Sequence, residues 1–169
     1  MFLSSVIFGG DPSLAVAPLT PSPPPAPPVS GCGQSLVVVA GGGRDLAWSP
    51  LRIASELKAH SQGRLVQRLF HGGARGADRA IDAAAHRLGW LVEVIPADWR
   101  RYGRGAGPIR NRQLLSRACE QASAHPLLAP AGVLVIAFPG HSGTASLIAQ
   151  AEHLKDRSPL SIELVRIQP

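Results

Sequence analysis

Ser35-Leu36-Val37-Val38-Val39-Ala40-Gly41-Gly42-Gly43-Arg44-Asp45 is the stretch that decides the fold. Its first half is a short, unbroken β-branched run, the pattern of a strand buried on both faces. Its glycines end the strand abruptly. Working outward, Gly132 to Phe138 (GVLVIAF) repeats the pattern. Leu65 to Phe70, Leu91 to Ile95 (ended by Pro96) and Ser161 to Ile167 read as further strands. Helical segments fall between them. Pro50 to His60 has a proline suited to the first turn, with Leu51, Ala54, Leu57 and Lys58 marking a face. Gly76 to Leu88 is alanine-rich, with Ala77, Ala80, Ile81 and Ala84 on one side. Pro108 to about Ser123 and Thr144 to Lys155 complete the set. This alternation predicts an α/β three-layer sandwich around a mainly parallel sheet. Right-handed crossovers leave few topologies, and the expected strand order is 3-2-1-4-5.

Composition sets the outer limits. The chain has 169 residues, and its first 34 hold 8 of its 16 prolines. Thr20 to Pro28 reads TPSPPPAPP, which suits extended polyproline II and neither a helix interior nor a central strand. Residues 1–34 are therefore expected to be a disordered proline-rich extension, and residues 35–169 the folded domain. At 45% hydrophobic and 17% charged residues, the chain is not wholly disordered. No apolar run reaches the roughly 18 residues of a spanning helix. The N-terminus lacks the basic region of a secretory signal. The expectation is a soluble, cytoplasmic protein with no membrane partner. Cys32 and Cys119 stand far apart and neither has neighbours at metal-ligand spacing, so no metal site is expected. The formal charge is +6, and 15 of the 17 basic residues are arginine. Such a balance admits phosphorylated ligands or nucleic acid.

Three glycine-rich segments follow three separate strands. They are Gly41-Gly42-Gly43-Arg44-Asp45, His71-Gly72-Gly73-Ala74-Arg75-Gly76-Ala77-Asp78 and Pro139-Gly140-His141-Ser142-Gly143-Thr144. In an open parallel sheet all three lie at the C-terminal edge, where ligands bind at the point of strand-order reversal. Glycines admit close backbone approach, and the helix that follows offers N-terminal amides to an anion. A dinucleotide fingerprint after the first strand and a Walker loop are both absent. Arg44, Arg75 and Arg110 fall just before, or in, the first turn of a predicted helix. There a cation opposes the helix dipole unless an anion intervenes. Arg100, Arg101, Arg104, Arg112 and Arg117 add basic density around the third helix, mostly as solvated side chains. Gly107-Pro108-Ile109-Arg110-Asn111 reads as a preorganised helix start with Arg110 and Asn111 directed at what precedes it. Trp99 and Tyr102 serve either packing or base stacking. Asp45 and Asp78 are candidates to cap helices or, with Asp98, to act as acid or base. His71 and His141 lie in the same loops with no orienting partner visible.

These segments together resemble the YspA, or cpYpsA-related, family of the SLOG superfamily. The marks are GGRD (Gly42 to Asp45), HGGARGAD (His71 to Asp78), ADW (Ala97 to Trp99), YG (Tyr102-Gly103), AGPIRN (Ala106 to Asn111) and AFPGHSGTA (Ala137 to Ala145). The resemblance implies a Rossmann-like fold and binding of a nucleotide or nucleotide derivative; no other cofactor is identified. The superfamily includes cytokinin-activating phosphoribohydrolases and DNA-processing proteins. The hydrolases carry PGGxGTxxE, whose glutamate serves catalysis. In this chain His141 replaces the second glycine and Leu147 stands where the glutamate would. An oxocarbenium-like transition state wants a nearby carboxylate, so the substitution counts against the same chemistry. Asp78 and Asp98 are the candidates to replace it.

The expected function is binding or sensing of a phosphorylated nucleoside-type ligand. Arg44, Arg75 and Arg110 are expected to hold its charge. Amides and hydroxyls come from Gly42, Gly43, Gly72, Gly73, Gly76, Pro139, Gly140, Ser142, Gly143 and Thr144. Asp45, His71 and Asn111 line the same edge, and Asp78 takes a ribose hydroxyl. The alternatives are N-glycosidic hydrolysis of such a ligand and, less favoured, nucleic-acid binding. A homo-oligomer is left open.

Overall fold

The computed structural model describes residues 35–124 and 131–169. Residues 1–34, with Cys32, and His125 lie outside the described residues. The sheet has five strands in the order β3-β2-β1-β4-β5. They are β1 (Leu36–Gly41), β2 (Val66–His71), β3 (Val92–Val94), β4 (Gly132–Ala137) and β5 (Ile162–Arg166). Every neighbouring pair is parallel. The helices are α1 (Pro50–Ser61), α2 (Ala77–Arg87), α3 (Trp99–Tyr102), α4 (Ala106–Ser123) and α5 (Ser142–Lys155). The expected α/β architecture and strand order are observed. Strand order reverses between β1 and β4, so the crevice opens at their C-terminal ends.

The unbroken apolar runs have a direct cause. Along β1, Leu36, Val38 and Ala40 face one layer and Val37 and Val39 the other; all are fully buried. The first layer packs Leu69, Leu134 and Ile136 of the sheet against Ile53 and Leu57 of α1 and Ile81 and Ala84 of α2. The second packs Phe70, Val133 and Val135 against Leu114 and Ala118 of α4 and Leu147 and Ala151 of α5. A strand covered on both faces has no polar side to show, so alternation disappears. The alanines of α2 let that helix lie close to α1 and the sheet.

Local chemistry sets the helix ends. Ser49 caps α1 by accepting the Arg52 N–H at 3.3 Å, and Pro50 follows in the first turn. The third predicted helix differs from expectation. A short α3 and a 3₁₀ turn (Gly103–Gly105) precede α4, which starts at Ala106 rather than Pro108. Proline is tolerated there because the first amides of a helix have no intrahelical acceptor. At the opposite edge Arg64 forks onto Glu163 of β5, with Nη2 3.0 Å from Oε2. The Arg64 hydrogen bond holds the Glu163 carboxyl below the ordinary range, although burial opposes it. Glu163 is thus an anchoring side chain for Arg64. Among the described residues, no helix is long and apolar enough to cross a membrane.

Gly76 carries a backbone demand the sheet cannot relax. Its φ is +74°, and a Cβ there would strike the backbone carbonyl of Arg44. Gly63 has a similar φ of +72° with open space around it. Gly63→Ala is therefore expected to cost about 1 kcal/mol from strain alone. Gly76→Ala is expected to cost more than about 3 kcal/mol, because overpacking adds to the strain. Equal losses in urea denaturation would show that the contact with Arg44 carries no load.

Candidate functional site

A crevice of about 570 Å³ lies at the C-terminal ends of β1 and β4. Volumes of a few hundred Å³ suit small ligands. Its floor includes Gly41, Asp78, Leu114 and Leu147, and its rim Arg44, Trp99, Arg104 and His141.

One wall is built by backbone locking of the glycine loops. Gly43 N–H donates to the Pro139 carbonyl at 2.9 Å, and Gly43 C=O accepts from Ala77 N–H at 3.0 Å. A Cβ on Gly140 would strike Gly43 and the Thr144 hydroxyl. The glycines after β1 and β4 are thus needed for contact with each other. The first amide of α2 is spent on Gly43, which leaves that helix start with one free amide fewer than α5 has.

The start of α5 is arranged differently. Its N-cap His141 makes no side-chain capping bond. Among the described residues, the amides of Ser142, Gly143 and Thr144 have no acceptor; the first bond runs from Ala145 N–H to His141 C=O. Asn111, buried in α4, donates from Nδ2 to the Gly143 carbonyl at 3.0 Å and holds this turn in place. Ser142, Gly143, Thr144 and Asn111 all line the crevice. The Thr144 hydroxyl is buried without a partner among the described residues.

The centre holds an ion pair. Arg110 Nη1 lies 3.5 Å from Asp78 Oδ2, with side-chain exposures of 15% and 4%. The same Oδ2 accepts the Ala74 N–H at 3.0 Å. The guanidinium occupies the space a side chain on Gly72 would need. Burial lowers the Arg110 pKa, Asp78 raises it, and Arg44 lowers it again. Arg110 is therefore first the counter-ion of Asp78. Its position in the second turn of α4 also takes it away from the helix start. Arg44 lies 4.9 Å over the ring of Trp99 at the rim, well before α1 begins.

The predicted residues thus divide. The crevice brings together Gly42, Gly43, Arg44, Asp45, Gly72, Asp78, Arg110, Asn111, Ser142, Gly143 and Thr144. It is not lined by His71, Gly73, Arg75, Gly76, Pro139 or Gly140. His71 is buried on the α2 side, where Nδ1 accepts the Gly73 N–H and Nε2 meets Asp82 Oδ1 at 3.1 Å. Asp82 is the orienting group that the sequence did not reveal. Arg75 is exposed, because Gly76 turns the loop inward only after it. Gly76, Pro139 and Gly140 serve the loop contacts. Asp98 caps α3 by accepting the Arg101 N–H at 3.0 Å and stands outside the crevice. Tyr102 lies outside as well, under Arg101.

Arg104, one of the arginines expected to be mostly solvated, is exposed and also lines the crevice. The 3₁₀ turn that carries it there has no periodicity to betray it. Leu147 is buried in the floor, beside Gly41. Among the described residues, no group of three or more His, Cys, Asp or Glu is placed to hold a metal. Cys119 is a half-buried free thiol whose pKa is raised by burial.

A family model described as "YspA, cpYpsA-related SLOG family" matches residues 36–102. The Gene 61 protein of Mycobacterium phage D29 is 36% identical over 89 residues, covering 50% of this chain and 67% of that protein. No solved structure matches the chain.

The central ion pair is testable by stability. Arg110→Met strands a buried carboxylate and is expected to cost about 1–3 kcal/mol. Gly72→Ala should act in the same direction by displacing the guanidinium. The double variant Arg110→Met/Asp78→Asn should recover part of the loss. Urea denaturation reads all three together with Asp78→Asn alone, and strictly additive effects of Arg110→Met and Asp78→Asn would show that the two groups do not interact.

Proposed function

The chain belongs to the YspA, cpYpsA-related SLOG family, and we propose that it binds a nucleotide or nucleotide-derived phosphorylated ligand, its phosphate at the start of α5. Family membership supports a nucleotide-related function. The observation that carries the finer reading is the set of amides at Ser142, Gly143 and Thr144 without acceptors. They stand at the positive end of a helix dipole, in a crevice that also exposes Arg44 and Arg104. The two cations take the place of Arg75 and Arg110 as partners of the phosphate. Arg75 lies outside the crevice, and Arg110 already has a counter-ion. A concave volume of about 570 Å³ favours a small molecule over a nucleic-acid strand.

The hydrolase reading is less well supported. Leu147 puts a hydrocarbon where the hydrolase glutamate would be, and the remaining floor carboxylate, Asp78, is neutralised by Arg110. Binding and sensing need no carboxylate at that position.

Gly143→Asp separates binding from folding. A Cβ at Gly143 meets nothing within 4 Å, and an acidic side chain in the first helical turn is stabilising by about 0.3–1 kcal/mol. The same charge repels a phosphate. Isothermal titration with the four ribonucleoside monophosphates and ADP-ribose is the test. At least one is expected to bind, Gly143→Asp to lose at least roughly tenfold in affinity without a lower Tm, and Arg75→Ala to bind as the native protein does. Unchanged affinity in Gly143→Asp, or no binding by any compound at millimolar concentration, would overturn the proposal. Recovery of each nucleotide intact after incubation distinguishes a binder from a hydrolase.

A further inference from the structure

We infer that Asp78 reads a sugar hydroxyl, so that the ligand is a ribonucleotide-type compound and its 2′-deoxy or 3′-deoxy counterpart is rejected. The inference rests on the nucleotide reading above and specifies its substrate class. Asp78 is 3% exposed and lines the crevice. Its two oxygens are not equivalent. Oδ2 is occupied by the Ala74 N–H at 3.0 Å and by Arg110 Nη1 at 3.5 Å. Oδ1 has no hydrogen-bond partner among the described residues, and it lies 4.0 Å from where a Cβ on Gly41 would stand, at the crevice floor.

The chemistry narrows what Oδ1 accepts. An ionised carboxylate oxygen takes hydrogen bonds and donates none. Its charge is already balanced by Arg110, so a second cation is not called for. A neutral donor is the remaining match, either a sugar hydroxyl or an N–H on a base. Position favours the sugar. Leu147, whose Cδ2 lies 3.2 Å from where the same Gly41 Cβ would stand, is one turn into α5 from Thr144. Oδ1 and Leu147 thus share one patch of the floor, about one helical turn from the amides at the helix start. The bases, by contrast, have the exposed ring of Trp99 at the rim.

Fixing Oδ2 also fixes the carboxylate plane, so Oδ1 does not swing to follow a missing hydroxyl. A site built around a hydroxyl discriminates through the acceptor left unpaired. The expected preference for ribo over deoxy is roughly 10- to 100-fold, the scale of one hydrogen bond to a charged group.

The experiment titrates the native protein with AMP, 2′-deoxy-AMP, 3′-deoxy-AMP and IMP, then repeats the series with Asp78→Asn. The native protein is expected to bind AMP and IMP alike and at least one deoxy compound roughly tenfold or more weakly. Asp78→Asn is expected to narrow that gap. Equal binding of AMP and both deoxy compounds overturns the inference while leaving the nucleotide reading intact. Discrimination between AMP and IMP without discrimination by sugar overturns it in favour of a base N–H. Absence of binding by all four overturns the inference; the reading it rests on falls with it only where the other ribonucleoside monophosphates and ADP-ribose also fail to bind. The native series decides alone where Asp78→Asn proves too unstable to assay.

Discussion

Gly43 gives both of its backbone polar groups to neighbouring loops, and the shape of the site follows from that. Its N–H is held by Pro139 after β4, and its carbonyl by the first amide of α2. Three strand ends are thereby tied into one wall. Backbones can meet this closely only without side chains between them, which accounts for Gly43, Gly76 and Gly140 together. The wall also consumes the amide of Ala77, whereas Ser142, Gly143 and Thr144 at the start of α5 keep all three of theirs without an acceptor among the described residues.

Charge is distributed on the same plan. A buried guanidinium is tolerable only beside a carboxylate, and the Arg110–Asp78 pair meets that condition with Gly72 supplying the space. The pair neutralises the interior and leaves the surplus cations, Arg44 and Arg104, at the rim. An anion entering the crevice meets positive charge at the mouth and helix amides at one side. It meets a carboxylate oxygen free only for a donor in the centre. Asn111 connects the two regions, because the helix that delivers Arg110 also grips the first turn of α5.

The positions of the strands and helices were legible in the sequence because each rests on a local pattern. The β-branched runs of β1 and β4, the alanine face of α2 and Pro50 in α1 are read without knowing what packs on them. Observed ends fall within a residue or two of the expected ones, and the strand order followed from crossover handedness. What escaped has equally local reasons. The four-residue α3 and the 3₁₀ turn after it are too short for periodicity, and with them went the cap at Asp98 and the place of Arg104 at the crevice rim. The pairing of buried His71 with Asp82 was hidden as well, since a histidine at a strand end looks the same whether it faces ligand or core.

By itself, the sequence determined the layering of the domain and the edge of the sheet where loops gather. Those properties depend on hydrophobic period and on glycine placement, which are written residue by residue. Only the tertiary structure decided which arginine pairs inward and which faces out. Arg75 and Arg110 look alike beside glycine loops. Yet one is turned to solvent before the bend at Gly76, and the other is carried by α4 onto Asp78, 32 positions earlier in the chain. A side chain's electrostatic partner is set by the distance between elements once they are packed, and no spacing within a single segment encodes that distance.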